Sequence, residues 1–270
     1  MKDKVVIITG ASSGIGKSLA IDSAKKGAKV VIAARREDKL KALAEEIKVY
    51  NPHVAYCKAD VSKEADCKNL VEHTVKIFNR IDVLINNAGI SMRALFRDTD
   101  MTVLQRLMDV NFWGTVYCTK HALPHLLETK GSLVGVISIG GHVGLPGRTG
   151  YSASKFAIRG FLDTVRIENL KKGLHVLVAA PGFTASEIRE AALTGDGSRQ
   201  GKTPREESKM MSAEECASRI IRAVEKRKRQ LILTFVEGKL LVFLNKRFPR
   251  LMDKMIFNSF AKEPDSPLNE

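Results

Sequence analysis

The residues with the clearest chemistry in this chain are Tyr151-Ser152-Ala153-Ser154-Lys155. Tyr151 and Lys155 are four residues apart, so on a helix they lie one above the other on the same face. A free phenol titrates near 10 and is a poor base at neutral pH. An ammonium held beside it favours the phenolate and lowers that value, which suits the pair to exchanging a proton with a substrate oxygen. Ser138, thirteen residues upstream at the end of an apolar run, adds a hydroxyl that could hold the same oxygen. A Tyr/Lys helical pair alone is more often surface decoration than chemistry. The neighbouring features decide its meaning.

Thr9-Gly10-Ala11-Ser12-Ser13-Gly14-Ile15-Gly16 follows the first apolar run and opens a helical stretch. Glycines at 10, 14 and 16 permit a tight turn and close backbone approach to a pyrophosphate, with the positive N-terminus of the helix beyond. With a strand before and a helix after, the spacing points to a nicotinamide dinucleotide, whose oxidised ring adds a second positive charge beside Tyr151. The second strand selects the cofactor. An NAD site places Asp or Glu at its end, whereas here Ala34 is followed by Arg35 and Arg36. Guanidinium groups bind a 2′-phosphate in bidentate fashion, so NADP(H) is expected. An NAD-dependent alcohol dehydrogenase would require both arginines to be idle. Asp60 and Val61 end the third strand, where a side-chain oxygen could meet the adenine amino group. Asn86, Asn87, Ala88 and Gly89 end the fourth, lining the crevice in which such sheets bind ligands.

Short, nearly continuous Val/Ile runs at 5–8, 30–33, 83–85, 133–137 and 176–180 read as strands buried on both faces. Helical stretches at 14–26, 37–49, 63–78, 101–127 and 151–171 alternate with them. The expected fold is a single α/β domain over 1–260, a Rossmann-type doubly wound and mostly parallel sheet with helices on both faces. Residues 184–212 form a long polar segment after the last buried strand, where substrate loops and lids belong. A helix at 213–226, a short strand at 230–234 and an amphipathic extension at 238–260 follow. The last ten residues, 261–270, contain Pro264 and Pro267 and are expected to fray.

Composition narrows the function classes. The 270 residues are 44% apolar and 27% charged, which is globular. The four cysteines show no CxxC and no Cys/His cluster at metal spacing, so neither a disulfide framework nor a metal site is expected. No secretory signal opens the chain and no apolar run is long enough to span a bilayer, so a cytoplasmic protein is expected. More than half of the net charge of +14 lies between residues 219 and 254. No nucleic-acid recognition motif accompanies it, and no nucleic-acid partner is expected. Leu240, Phe243, Phe248, Leu251, Met255 and Phe257 interleave with Lys246, Arg247, Arg250 and Lys254. That pattern leaves two readings open: a helix resting on a membrane surface, or one that closes the pocket or packs on a partner.

Taken together, Thr9–Gly16, Asn86–Gly89, Asn111, Ser138, Tyr151/Lys155 and Pro181-Gly182 resemble the short-chain dehydrogenase/reductase family over nearly the whole chain. The resemblance implies a catalytic tetrad of Asn111, Ser138, Tyr151 and Lys155, with Asn111 at a helix kink beside a water linked to Lys155. It implies that Lys155 binds the nicotinamide ribose and that the segment after Pro181 and Gly182, with Ser186 in place of the usual Thr, covers the carboxamide. Subunits of such enzymes pair through the helices holding Asn111 and Tyr151, so a homodimer or homotetramer is implied. Residues 86–93 and the basic-apolar tail resemble 11-beta-hydroxysteroid dehydrogenases, and 105–117 and 151–160 resemble 3-ketodihydrosphingosine reductases. Both imply reduction of a hydrophobic lipid- or steroid-like carbonyl, with Arg93, Leu145, Phe183 and the 184–212 loop setting specificity. A family member that keeps the cofactor pocket without turnover is the alternative from another class.

Overall fold

A computed structural model of the chain describes residues 1–203 and 210–269, so part of the expected 184–212 loop lies outside the described residues. Seven strands form one sheet: β1 (Val5–Thr9), β2 (Lys29–Ala34), β3 (Val54–Lys58), β4 (Val83–Asn86), β5 (Ser132–Val136), β6 (His175–Ala180) and β7 (Gln230–Ile232). Their order is β3-β2-β1-β4-β5-β6-β7, and every pairing is parallel. The strand order reverses between β1 and β4, which opens a crevice at their carboxyl ends.

The helices α1 (Gly14–Lys25), α2 (Glu37–Lys48), α3 (Glu64–Phe78), α5 (Gly114–Glu128), α6 (Thr149–Glu168) and α7 (Ala213–Glu225) cover the two faces. Successive β1 side chains alternate between them. Val6 and Ile8 join Leu19 of α1 and Ile220 of α7, while Ile7 joins Leu70 of α3, Leu126 of α5 and Leu162 of α6. Burial on both sides explains why the strands read as continuous apolar runs rather than alternating ones.

Residues 101–127 are not one helix. They divide into α4 (Met101–Leu107), a π-turn at Met108–Trp113 and α5. Asn111 sits inside that turn, fully buried. π-Bulges widen a helix by one residue per turn and are frequent at functional sites.

The C-terminal extension folds as a π-turn (Phe235–Leu240), α8 (Leu241–Arg247) and α9 (Pro249–Ala261). Val242, Met252, Ile256 and Phe260 pack into the core, while Phe243, Phe248, Leu251, Met255 and Phe257 remain exposed. The helix pair therefore closes on the domain with one face and leaves a second apolar stripe outward. Residues 261–269, where fraying is expected, lie against the domain. Glu263 and Ser266 are buried, and Arg93 donates to the Pro264 carbonyl at 2.6 Å. The Glu263 carboxylate lies 3.7 Å from Arg93 and 3.6 Å from Arg148, and Leu268 packs against the core, so ion pairs and apolar contact together anchor the tail. No helix among the described residues is long and apolar enough to cross a membrane.

Candidate active site

A cleft of about 740 Å³ lies at the carboxyl ends of the central strands. Its walls bring together Gly10, Ser12, Ser13, Gly14, Ile15, Gly16, Arg35, Arg36, Asp60, Val61, Asn87, Ala88 and Gly89. Ser138, Leu145, Tyr151, Lys155, Pro181, Gly182, Phe183 and Ser186 complete the expected set. Asn111 lies behind this wall, and Arg93 does not line the cleft at all. Its guanidinium is buried against Glu263 and Pro264, so the expected role of Arg93 in contacting substrate gives way to one in holding the tail.

The cofactor-side wall is built around a turn that admits no side chain at Gly10 or Gly16. Gly10 has φ +66°, and a Cβ there would come within 2.7 Å of the Ala88 backbone; one on Gly16 would lie 2.2 Å from the Gly10 carbonyl. Thr9, buried at the head of the motif, accepts the backbone N–H groups of Asn87 and Ala88 on its Oγ1, both at 3.1 Å. Asn87 Nδ2 donates to the Thr9 and Gly10 carbonyls at 3.0 and 3.3 Å. The β1 and β4 ends are thereby locked together with the backbone left open to a ligand. The shape and the missing side chains fit a pyrophosphate over the α1 N-terminus.

At the far end, Arg36 donates to Ser12 Oγ at 2.9 Å, Ser13 Oγ at 2.8 Å and Glu187 at 2.9 Å. Lys39 also reaches Glu187, at 3.4 Å. Burial pushes the Glu187 carboxyl up, but Arg36 and Lys39 outweigh it and hold the group below its ordinary value. The contact ties the loop after β6 to the β2–α2 junction. Arg35 is exposed on the same wall.

The opposite end is organised by Asn111. Its Oδ1 accepts from Ile90 N at 2.8 Å, and its Nδ2 donates to Ile90 O at 3.0 Å and to Ser154 Oγ at 2.9 Å. Ser154 in turn donates to the Tyr151 carbonyl at 2.7 Å. One buried amide thus couples the loop after β4, the π-turn and α6, and satisfied networks of this kind fix geometry strongly. Ser154 stands within the Tyr151–Lys155 motif and was legible only as a small residue between two functional ones.

Lys155 is 3% exposed, and its Nζ donates to the Val136 carbonyl at 3.0 Å. Burial lowers its pKa to about 8. The Nζ sits 5.7 Å from the centre of the Tyr151 ring. Desolvation raises the Tyr151 pKa, opposed by a hydrogen bond with Ser138 and by the charges of Arg148 and Arg189. The phenol is held as an acid in the protein by itself.

The lowered Lys155 value has a measurable consequence. Below about pH 8 both folded and unfolded chains hold the proton, and folding carries the full cost of burying an ammonium. Between about 8 and 10.5 the unfolded chain keeps a proton that the native protein sheds, so stability rises with pH. In urea titrations, Lys155→Met should therefore hold its greatest advantage over the wild type at pH 7 and lose most of it by pH 10. A gap constant across that range would contradict the assignment.

A family model described as short chain dehydrogenase matches residues 4–196. The chain belongs to this family. Among relatives of this short-chain dehydrogenase, the dehydrogenase/reductase SDR family protein 7-like of Drosophila melanogaster is 34% identical over 253 residues, 92% of this chain and 78% of the relative. The 11-beta-hydroxysteroid dehydrogenase A of Sesamum indicum is 42% identical over 198 residues, covering 73% of this chain and 57% of the relative. The 11-beta-hydroxysteroid dehydrogenase-like 4A of Arabidopsis thaliana is 44% identical over 182 residues, 67% and 60%. The chain spans less than two thirds of the length of these two plant relatives. An alcohol dehydrogenase from the archaeon Thermococcus sibiricus, solved in complex with 5-hydroxy-NADP, superposes with a TM-score of 0.75 at 25% identity over 85% of this chain and 94% of its own. A short-chain dehydrogenase/reductase from Burkholderia phymatum in complex with NAD reaches 0.83 at 20% identity over 93% and 95%, a likeness of fold.

Proposed function

We propose that this short-chain dehydrogenase is an NADP(H)-dependent oxidoreductase interconverting a ketone and a secondary alcohol, working as a reductase of a carbonyl compound with a hydrophobic, lipid- or steroid-like body. The observation that carries the reading is the cleft in which Ser138, Tyr151 and Lys155 share walls with the glycine-bearing Gly10–Gly16 turn and with Arg35 and Arg36. When bound, the nicotinamide supplies the hydride. Ser138 holds the substrate oxygen, and Tyr151, kept protonated by burial, donates the proton to it. Lys155 would hold the nicotinamide ribose and, with Asn111 fixing the π-turn behind it, would pass a proton to the phenol from solvent. In the reverse direction the phenolate accepts a proton from the alcohol.

Gly10 through Gly16 would hold the pyrophosphate, Asp60 and Val61 the adenine, Asn87 through Gly89 the riboses, and Pro181, Gly182 and Ser186 the carboxamide. Leu145 and Phe183 support the hydrophobic reading, because both line the cleft beside Tyr151 with Ile90 and Ile188. The exposed apolar stripe on α8 and α9 sits among Lys239, Lys246, Arg250 and Lys254, which supports peripheral contact with an anionic membrane surface. Exposed Trp113, Phe156, Ile167 and Leu170 on and around α6 support pairing into a homo-oligomer.

The test is the loss of reduced-nicotinamide absorbance with a panel of steroid, sphingoid and simple ketones, offering NADPH and NADH separately. Faster consumption of NADPH with at least one hydrophobic ketone is expected. Tight binding of NADPH with no ketone reduced would move the protein to the class of silent cofactor-binding regulators.

A further inference from the structure

We propose that a second cleft, at the free edge of the sheet, binds a phosphate monoester, and that the headgroup of an anionic lipid supplies it. This rests on the peripheral membrane contact proposed above and names the lipid chemistry that such a contact would select.

The cleft has a volume of about 340 Å³ and lies between α7 and β7, the strand that ends the sheet. Arg219, Arg222 and Lys226 enter it from one side of α7, because spacings of three and four residues stack side chains along a helix. Lys228 comes from the turn between α7 and β7, and Lys239 from the π-turn beyond β7. The fold divides the basic run Lys226-Arg227-Lys228-Arg229. Arg227 donates to the Lys130 and Gly173 carbonyls at 3.1 and 2.7 Å, and Arg229 lies 4.0 Å from Asp163. Lys226 and Lys228 are left to the cleft.

No acidic residue lines this cleft. Arg219 is paired with Glu215, whereas Arg222, Lys226, Lys228 and Lys239 have no carboxylate within ion-pair distance among the described residues. Glu225 of α7 is engaged by the Met1 amino group and Lys26. Glu237 is exposed on the π-turn, and setting its one charge against the four unpaired cations leaves three. Of the residues outside the described ones, 204–209 carry two acids and two bases, and Glu270 adds one acid. The C-terminal end of α7 carries about half a negative charge. That favours Arg222 and Lys226 near the helix end, but it does not account for Lys228 and Lys239, which other elements supply.

A carboxylate would neutralise one of these cations. A phosphate monoester brings roughly −1.5 to −2 charges and three acceptor oxygens, enough to engage several at once. Arg222 can grip it as a planar fork, and the lysines act as point charges around it. The source of the phosphate follows from the apolar part of the wall. Leu231, Ile232 and Phe235 line the cleft, and exposed Phe235, Val236 and Phe243 continue outward from it onto α8. A soluble phosphate ester leaves that surface in water, whereas a lipid covers it with its acyl chains.

The test keeps NADPH in excess, so that the cofactor cleft is filled. Phosphatidylcholine vesicles carry either phosphatidic acid, a monoester, or phosphatidylglycerol, a diester, at matched surface charge, and bound protein is read by sedimentation. Phosphatidic acid should be preferred by about tenfold or more. In Arg222→Gln/Lys226→Gln/Lys228→Gln that ratio should fall toward one, and because it compares two lipids on one protein sample, partial misfolding does not imitate it. Lys246→Gln/Arg250→Gln, away from the cleft, should weaken both lipids alike and keep the ratio. By calorimetry, monomeric dihexanoyl phosphatidic acid should bind more tightly than glycerol 3-phosphate. Equal binding of the two lipids, or a preference that survives the triple substitution, overturns the inference and leaves the membrane reading standing. Binding of glycerol 3-phosphate without binding of either vesicle overturns the lipid source together with that reading. A single-stranded oligonucleotide held more tightly than either vesicle, and released by the triple substitution, overturns the lipid in favour of nucleic acid. Binding of no vesicle and no phosphate ester overturns both readings.

Discussion

Tyr151→Phe should lower kcat for ketone reduction by a factor of roughly 10²–10⁴, the usual worth of a positioned general acid, while the protein still binds NADPH. The expectation follows from what the phenol oxygen does and what the ring does. The ring packs in the cleft wall and survives the substitution. Only the oxygen shared with Ser138 is lost, and no other group takes its place. Lys155 Nζ lies 5.7 Å from the centre of the Tyr151 ring, but it is directed to the Val136 carbonyl at 3.0 Å. Retention of more than about a tenth of wild-type kcat would show that the proton comes from elsewhere, with water the first alternative. The same environment makes a statement about pH. Burial raises the Tyr151 pKa, so the acid form persists through neutral pH. Reduction should be flat there, whereas alcohol oxidation, which needs the phenolate, should rise into the alkaline range.

The cofactor turn, the strand-end serine and the Tyr/Lys pair were legible because each is specified by neighbours in sequence. A turn needs its glycines at fixed offsets, and a helical pair needs only a spacing of four. The sheet was legible for a related reason, since strands buried on both faces must be apolar throughout. Features that failed to show depend on partners far along the chain. The π-turn interrupts a pattern that reads as one helix from 101 to 127, because the bonds that accompany it run from Asn111 to Ile90 and Ser154. Arg93 looked like a pocket residue from its place just after the Asn86–Gly89 segment. Its actual partner, Glu263, lies in a stretch whose prolines suggested fraying, and no local pattern announces an ion pair of that separation. The burial of the Tyr151 phenol was not legible for a physical reason. The spacing to Lys155 is visible in sequence, but the loss of water around the phenol, which outweighs nearby charge, is a property of the packed site.

Replacing Arg35 and Arg36 together with alanine should lower kcat/KM for NADPH by roughly 10²-fold relative to NADH, the scale of one to two charge-assisted hydrogen bonds to a 2′-phosphate. The two arginines are not equivalent, so the single variants should differ. Arg35 is exposed on the cleft wall, and its loss removes a donor and little else. Arg36 already bridges Ser12, Ser13 and Glu187. Its removal also frees the Glu187 carboxylate, leaving Lys39 as its remaining cationic partner. A carboxylate released beside the phosphate site repels the ligand, so Arg36→Ala should hurt NADPH more than Arg35→Ala does. Arg36→Lys should restore only part of the loss, because an ammonium cannot span two hydroxyls and a carboxylate as a planar fork does. Adding Ala34→Asp to the double variant supplies a carboxylate at the end of β2, where a ribose 2′-hydroxyl can donate to it, and should turn the preference over to NADH. If the double variant still prefers NADPH, the phosphate is read by another group, and Lys39, the remaining cation beside Glu187, becomes the residue to replace. If the wild type prefers NADH from the outset, Arg36 belongs to the lid contact with Glu187 alone, and the 2′-hydroxyl is bound without a carboxylate.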